Sequence, residues 1–176
     1  MPRSSPHDAT DAADLSRRSF LGAAGIVAAG FFAGCLGSDE PSEAEVSPAA
    51  ASLLDGAVLY RSPNCSCCLE YTEYLETNSG VSIDVQEVSD LAEVQDEYAV
   101  PRDVESCHTV SVGKYYVEGH VPLEAINELA AETPDVAGIA LPGMPAGSPG
   151  MPGTKEEPFL VYATYDDGSY DKFVRV

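Results

Sequence analysis

Tyr60-Arg61-Ser62-Pro63-Asn64-Cys65-Ser66-Cys67-Cys68-Leu69-Glu70-Tyr71-Thr72-Glu73-Tyr74-Leu75 decides how this chain folds. It continues the short apolar run Ala57-Val58-Leu59-Tyr60 and breaks at Arg61-Ser62-Pro63-Asn64. It then places Cys68, Leu69, Thr72 and Leu75 at helical spacing. Strand, turn and helix is the reading, with Asn64 as the expected N-cap. Cys65, Cys67 and Cys68 then fall in the first helical turn, where free N–H groups and the macrodipole favour thiolates.

Outward from this unit, Asn78-Ser79-Gly80 ends the helix and Val81 to Val88 alternates as a strand. Ser89-Asp90 caps a second helix to about Tyr98, and Val100-Pro101 breaks it. His108 to Gly113 and Tyr115 to His120 read as two strands joined tightly through Gly113-Lys114, and a third helix runs from Leu123 to about Glu132 after Pro122. The order β-α-β-α-β-β-α is that of an α/β, thioredoxin-like fold. In that arrangement the loop before the third strand approaches the start of the first helix, so Cys107-His108 should meet the Cys65, Cys67, Cys68 cluster. Leu141 to Gly153 is a loop rich in Pro, Gly and Met, and Phe159–Thr164 with Ser169–Val174 forms a closing β-hairpin around Asp166-Asp167-Gly168.

The cysteines carry the chemistry. Adjacent cysteines and a Cys-x-Cys pair are poorly placed to bridge each other, because a disulfide needs its Cα atoms about 4.4–6.8 Å apart. Crowded thiolates suit a soft cation instead: Cu(I), zinc or an iron–sulfur cluster. A four-cysteine zinc site normally uses paired Cys-x2-4-Cys units, and Cys107 brings no second pair; the usual iron–sulfur spacings are absent too. Elimination leaves copper, as Cu(I). Cys65 and Cys68 do have the Cys-x-x-Cys spacing of a thiol–disulfide oxidoreductase, which stays open as the second reading, and a structural zinc domain as the third. A buried, inert cysteine is the ordinary account of any one of these residues, but not of the cluster.

Further candidate ligands are His108, beside Cys107; His120, at the end of its strand; and Met144 and Met151 in the loop, since imidazole and thioether both bind copper. Met more often fills space, and His120 reads equally as ligand, as partner to a ligand or as a surface residue. Cys107 and His108 are neighbours whose side chains oppose each other on a regular strand, so joint ligation requires irregular backbone.

The N-terminus sets the compartment. Ser16-Arg17-Arg18-Ser19-Phe20-Leu21 and the small apolar run to Gly34 read as a twin-arginine signal peptide over residues 1–34. Phe32-Ala33-Gly34-Cys35 reads as a lipobox, with Cys35 the lipidated residue. The run is short of the roughly 20 residues of a membrane span, although an uncleaved anchor would also place the domain outside the cytoplasm. Residues 35–52, rich in Ser, Pro, Glu and Ala, read as a flexible acidic tether reaching roughly 20–25 Å. They lead to a single metal-binding domain over residues 53–176. The expected location is the outer face of the cytoplasmic membrane.

The net charge of −20 belongs to the exported part, because three Arg balance three Asp in the signal. Such acidity excludes nucleic acid as a partner and resembles the proteins of salt-loving archaea. The remaining partners are copper ions, a copper-transfer or redox protein, and the membrane through the anchor.

Four motifs in order resemble a known family: Tyr60-Arg61-Ser62-Pro63-Asn64-Cys65-Ser66-Cys67-Cys68, Ser106-Cys107-His108-Thr109, Glu118-Gly119-His120-Val121-Pro122 and Leu141-Pro142-Gly143-Met144-Pro145 with Gly147-Ser148-Pro149-Gly150-Met151. Together they are similar to the CopG-type metal-binding proteins of domain-of-unknown-function family four-one-one, over about residues 57 to 175. The resemblance implies a thioredoxin-like domain outside the cytoplasm, associated with copper resistance. It also implies that Cys65, Cys67, Cys68 and Cys107 hold copper in a multinuclear cluster. The lipoprotein tether and the strong acidity depart from that pattern and bear on location and partners.

Overall fold

Residues 45–176 are described by the structure, a computed structural model; the expected signal peptide, Cys35 and the expected tether as far as residue 44 lie outside the described residues. Among the described residues no helix is long and apolar enough to cross a membrane. The tether drawn to residue 52 overlaps a helix, α1 (Pro48–Leu54). Ser47 caps it by accepting the Ala50 N–H, Pro48 opens it, and Ala50 and Leu54 are buried. The Ala-rich stretch that reads as spacer from composition thus has just enough apolar surface to dock. Asn127 fastens its entry, accepting the Ser47 N–H and donating to the Glu45 carbonyl.

From α1 the chain enters β1 (Val58–Arg61), α2 (Ser66–Ser79), β2 (Asp84–Glu87), α3 (Leu91–Glu97) and a 3-10 turn (Arg102–Val104). There follow β3 (His108–Val112), β4 (Tyr115–Gly119), α4 (Leu123–Glu132), β5 (Gly138–Leu141), β6 (Leu160–Thr164) and β7 (Tyr170–Arg175). The seven strands form one sheet in the order β2-β1-β3-β4-β5-β6-β7. β1 is parallel to β2 and β4 to β5, each pair bridged by a helix, and the remaining pairs are antiparallel. The molecule is a mixed α/β domain.

Besides α1, and β2 beginning only at Asp84, two further positions depart from the sequence reading. β5 falls where no element was expected, because a run of four residues, Gly138-Ile139-Ala140-Leu141, buried on both faces carries no alternation to reveal it. The residue capping α2 is Cys65, not Asn64: the turn Ser62–Cys65 closes with Cys65 N–H donating to the Ser62 carbonyl at 3.2 Å, and the helix starts one residue later. Asp90 and Pro122 do precede α3 and α4 as expected.

Strand alternation sorts the two faces. Leu59, Val110, Val112, Val117, Ile139 and Val161 meet Tyr71 and Leu75 of α2, Leu54 of α1 and Ile126 and Leu129 of α4 in the main core. Tyr116 and Ala140 turn the other way, onto Val100 and Val104. By the same parity His108 faces α2, whereas Thr109 and Glu118, directly opposite each other in the β3–β4 ladder, face α3.

Candidate metal centre

Three chain segments converge at the end of the sheet where β1 finishes and β3 begins. The first is the turn into α2. Arg61, at the end of β1, donates from Nη1 to the carbonyls of Ser62 (3.1 Å), Pro63 (3.2 Å) and Cys65 (3.5 Å), while Nη2 pairs with Glu87 at 3.0 Å. One guanidinium therefore gathers the carbonyls of the cysteine loop, which suits its planar fork of donors. Cys65, Cys67 and Cys68 follow at the cap and first turn of α2, and Cys65 and Cys68 are joined by a disulfide with Cα atoms 5.5 Å apart.

The second segment is the bend at Cys107, just before β3. Cys107 Sγ lies 3.7 Å from Cys68 Sγ, and Cys65 Sγ lies 3.5 Å from Cys67 Sγ. The sulfurs of Cys65, Cys67, Cys68 and Cys107 all lie within 4.8 Å of one another. The bend supplies the irregular backbone that lets Cys107 and His108 act together: Cys107 Sγ stands 3.4 Å from His108 Nδ1.

The third is the exit from β4. Glu118 faces α3, so alternation would send His120 the same way; Gly119, at φ 76°, turns the chain over and delivers His120 to the α2 side, against Tyr71. There His120 Nε2 lies 3.3 Å from Cys107 Sγ, and its ring packs 4.8 Å from that of His108. Both imidazoles are fully buried and both rest on Tyr71, at 4.7 Å and 5.4 Å. Tyr71 is itself held by its hydroxyl, which donates to the Val121 carbonyl at 2.8 Å.

Burial, reinforced by the neighbouring His120, pushes His108 down to about 3, and burial likewise lowers His120. Both are neutral near pH 7, the form that ligates metals. Nε2 of His108 has no hydrogen-bond partner. The nitrogen that faces sulfur is Nδ1, 3.4 Å from Cys107 Sγ, and a buried, neutral imidazole turned onto a cysteine is the posture of a ligand. Burial, with Cys67 adding to it, pushes the Cys107 thiol up to about 12, so a metal arriving there displaces a proton.

The methionines stand apart from this description. Met144 is 39 % exposed and Met151 half-buried, in the strap after β5. The strap nonetheless reaches the centre through its backbone: the Pro149 carbonyl accepts from His120 Nδ1 at 2.7 Å, and Gly150 lies against the backbone of Cys67 and Tyr71.

Sequence reasoning gave no role to Arg61, Tyr71, Gln95 or Glu118. Glu118 carried a signal: an acidic side chain in a strand buried on both faces, Tyr115-Tyr116-Val117-Glu118, must be hydrogen-bonded or paired. Gln95 gave none, since its short helix has no marked apolar stripe.

Fold and centre together define a mixed α/β domain with a Cys/His cluster fit for a soft metal ion. Residues 104–151 match the family described as "Protein of unknown function, DUF411". Two solved structures of the copper resistance protein CopG, forms 1 and 2, are 33 % and 34 % identical to the chain, with TM-scores of 0.63 and 0.62. Each alignment covers 69 % of this chain and 97 % of the other. No curated protein matches it. The chain belongs to the CopG-like DUF411 family.

Proposed function

We propose that this protein binds copper as Cu(I) on the thiolates of Cys65, Cys67, Cys68 and Cys107, with His108 and His120 completing the ligand set, and serves copper handling or resistance outside the cytoplasm. The observation that carries this is the set of four sulfurs within 4.8 Å of one another, with two buried neutral imidazoles against Cys107. Soft thiolates with imidazole favour Cu(I), and thiolates shared between ions would allow more than one copper per chain. The copper resistance protein that the chain resembles, over nearly its full length, supports copper over zinc. The strand order β2-β1-β3-β4, with β1 and β2 parallel, supports a thioredoxin-like origin for the scaffold. Met144 and Met151 are proposed as transfer ligands at the rim. Arg17-Arg18 and Cys35 support twin-arginine export and a lipid anchor on the outer face of the cytoplasmic membrane.

The test is anaerobic titration of the reduced protein with Cu(I) against a competing chelator, counting copper and protected thiols. More than one tightly bound copper with Cys65, Cys67, Cys68 and Cys107 protected is the expected result. No retained copper, or equal retention of zinc, removes the assignment.

The disulfide between Cys65 and Cys68 favours a second reading, a thiol–disulfide oxidoreductase using that pair. Turnover of a disulfide substrate by metal-free protein would establish it, and the copper centre would then require the reduced state.

A further inference from the structure

Glu118 is a fully buried acid with no basic partner among the described residues, and its hydrogen bonds are concentrated around the Cys107-His108 pair. Its Oε1 accepts from the backbone N–H of Ser106 at 2.6 Å and from Gln95 Nε2 at 2.7 Å; its Oε2 accepts from Thr109 Oγ1 at 2.6 Å. Ser106 directly precedes the pair and Thr109 directly follows it. Gln95 Nε2 also donates to the Ser106 carbonyl at 3.1 Å, so side chains from two elements grip both backbone polar groups of the residue before Cys107. A loop residue held at its N–H and its C=O has little freedom left, and a buried acid is an expensive way to close a loop that an apolar residue could cover.

We propose that Glu118 and Gln95 form a clasp whose task is to position Cys107: the clasp fixes the bend before β3, and the bend holds the Cys107 sulfur between the α2 cysteines and the two imidazoles. The importance of Cys107 rests on the copper reading above, but the clasp does not. Glu118 touches none of the sulfurs; it acts through Ser106 and Thr109. Cys107 belongs both to the four-sulfur group and to the group with His108 and His120, so a displaced bend would separate the two halves of the centre. The geometry requires an acceptor at the Ser106 N–H and a polar partner for the Thr109 hydroxyl; a glutamine offers the first through its carbonyl oxygen and the second through its amide, which donates to Thr109 Oγ1.

The experiment compares Glu118→Ala, Glu118→Gln, Gln95→Ala, Cys107→Ser and the double variant E118A/C107S with the parent protein. Two readouts are taken: Cu(I) affinity by chelator competition, and the alkylation rate of Cys107 in metal-free protein, followed on its own peptide by mass spectrometry. In Glu118→Ala, folded by circular dichroism, Cys107 should alkylate several-fold faster and Cu(I) affinity should fall about 10–100-fold, as when a partner of a metal ligand is lost. Glu118→Gln should restore both to near the parent values. In the Cys107→Ser background the Glu118→Ala loss in affinity should disappear, since a residue acting through Cys107 has nothing left to position.

An unchanged alkylation rate in folded Glu118→Ala, or an affinity loss that persists without Cys107, overturns the proposal. If Glu118→Ala fails to fold, Gln95→Ala carries the test, with faster Cys107 alkylation expected and an unchanged rate overturning it. If the parent binds no copper while Glu118→Ala still frees Cys107, the clasp stands and the copper reading falls.

Discussion

His120 donates from Nδ1 to the Pro149 carbonyl at 2.7 Å and turns Nε2 to the Cys107 sulfur at 3.3 Å. A carbonyl can only accept, so this contact fixes the tautomer and leaves the lone pair of Nε2 facing the centre. It also ties the strap to the cluster. Gly150, the next residue, has φ 74°, and an added Cβ would stand 2.6 Å from the Tyr71 nitrogen. Gly150→Ala should therefore lift the strap, lowering stability by roughly 1–3 kcal/mol and speeding copper loss to a chelator. Thermal melts and stopped-flow release would record both, and an unaltered release rate would show that the strap does not guard the site.

Cys67 separates the two chemical readings. It is outside the Cys65–Cys68 disulfide, so a metal-free oxidoreductase can dispense with it. A thiolate cluster cannot, since its sulfur is one of four in mutual reach. Cys67→Ser should lower copper per chain strongly while leaving disulfide formation between Cys65 and Cys68 intact. Unchanged copper content would remove Cys67 from the ligand set.

Two buried groups give the metal-free protein opposite responses to pH. His108 is held down at about 3 against an ordinary 6.5, by burial first and His120 second. The unfolded imidazole takes a proton that the folded one refuses, so this contribution is complete above pH 6.5 and drains as pH falls toward 3. Glu118 is pushed up to about 7 from 4.5 by burial, against the pull of its three donors. Its contribution is complete below pH 4.5 and is lost as pH rises through 7. Glu118→Gln cannot ionise, so its stability relative to the parent should rise between pH 4.5 and 8, by on the order of 3 kcal/mol. Denaturant unfolding at those two pH values is the measurement; a pH-independent difference would mean that Glu118 keeps its ordinary acidity.

Export can be tested without any metal. Arg17 and Arg18 precede the apolar run that ends at Cys35. Replacing both by Lys should leave the protein inside the cell, because the twin-arginine route reads the pair itself. Cys35→Ser should separate export from anchoring, releasing protein from the membrane fraction. Membrane retention of Cys35→Ser would favour an uncleaved anchor.

Much of the scaffold was legible because its signals are local. Asp90 caps α3, Pro122 precedes α4, and the tight join at Gly113-Lys114 marks His108–Val112 and Tyr115–Gly119 as a pair of strands. β5 and α1 were not, one because uniform burial erases period two, the other because Pro-Ala-Ala-Ala-Ser has the composition of a spacer. The cysteines declared themselves by crowding. What holds them did not: a single Arg61 carries no sign that its fork will turn back onto the next carbonyls, and Glu118 meets Gln95 across 23 positions, a contact that arises only when the chain closes. His120 was ambiguous because its direction depends on a backbone turn at the residue before it.

That turn makes Gly119 the position where a single methyl group should do most to the centre. At φ 76° an alanine meets its own Cβ strain, about 1–2 kcal/mol, and the added carbon would stand 2.7 Å from the Leu141 carbonyl and 2.8 Å from Ser106 Oγ. The first contact is with β5 backbone, which cannot swing aside; the second presses on the residue that precedes Cys107. Relief requires the chain to leave the left-handed region, and strand alternation then returns His120 to the α3 face, away from Cys107. Gly119→Ala should therefore lose stability and lose the imidazole together. Its Cu(I) affinity should fall to that of His120→Ala, and the double variant should fall no further. An additive loss in the double variant would show that His120 keeps its place when the turn is strained, and that Gly119 serves the sheet rather than the metal centre.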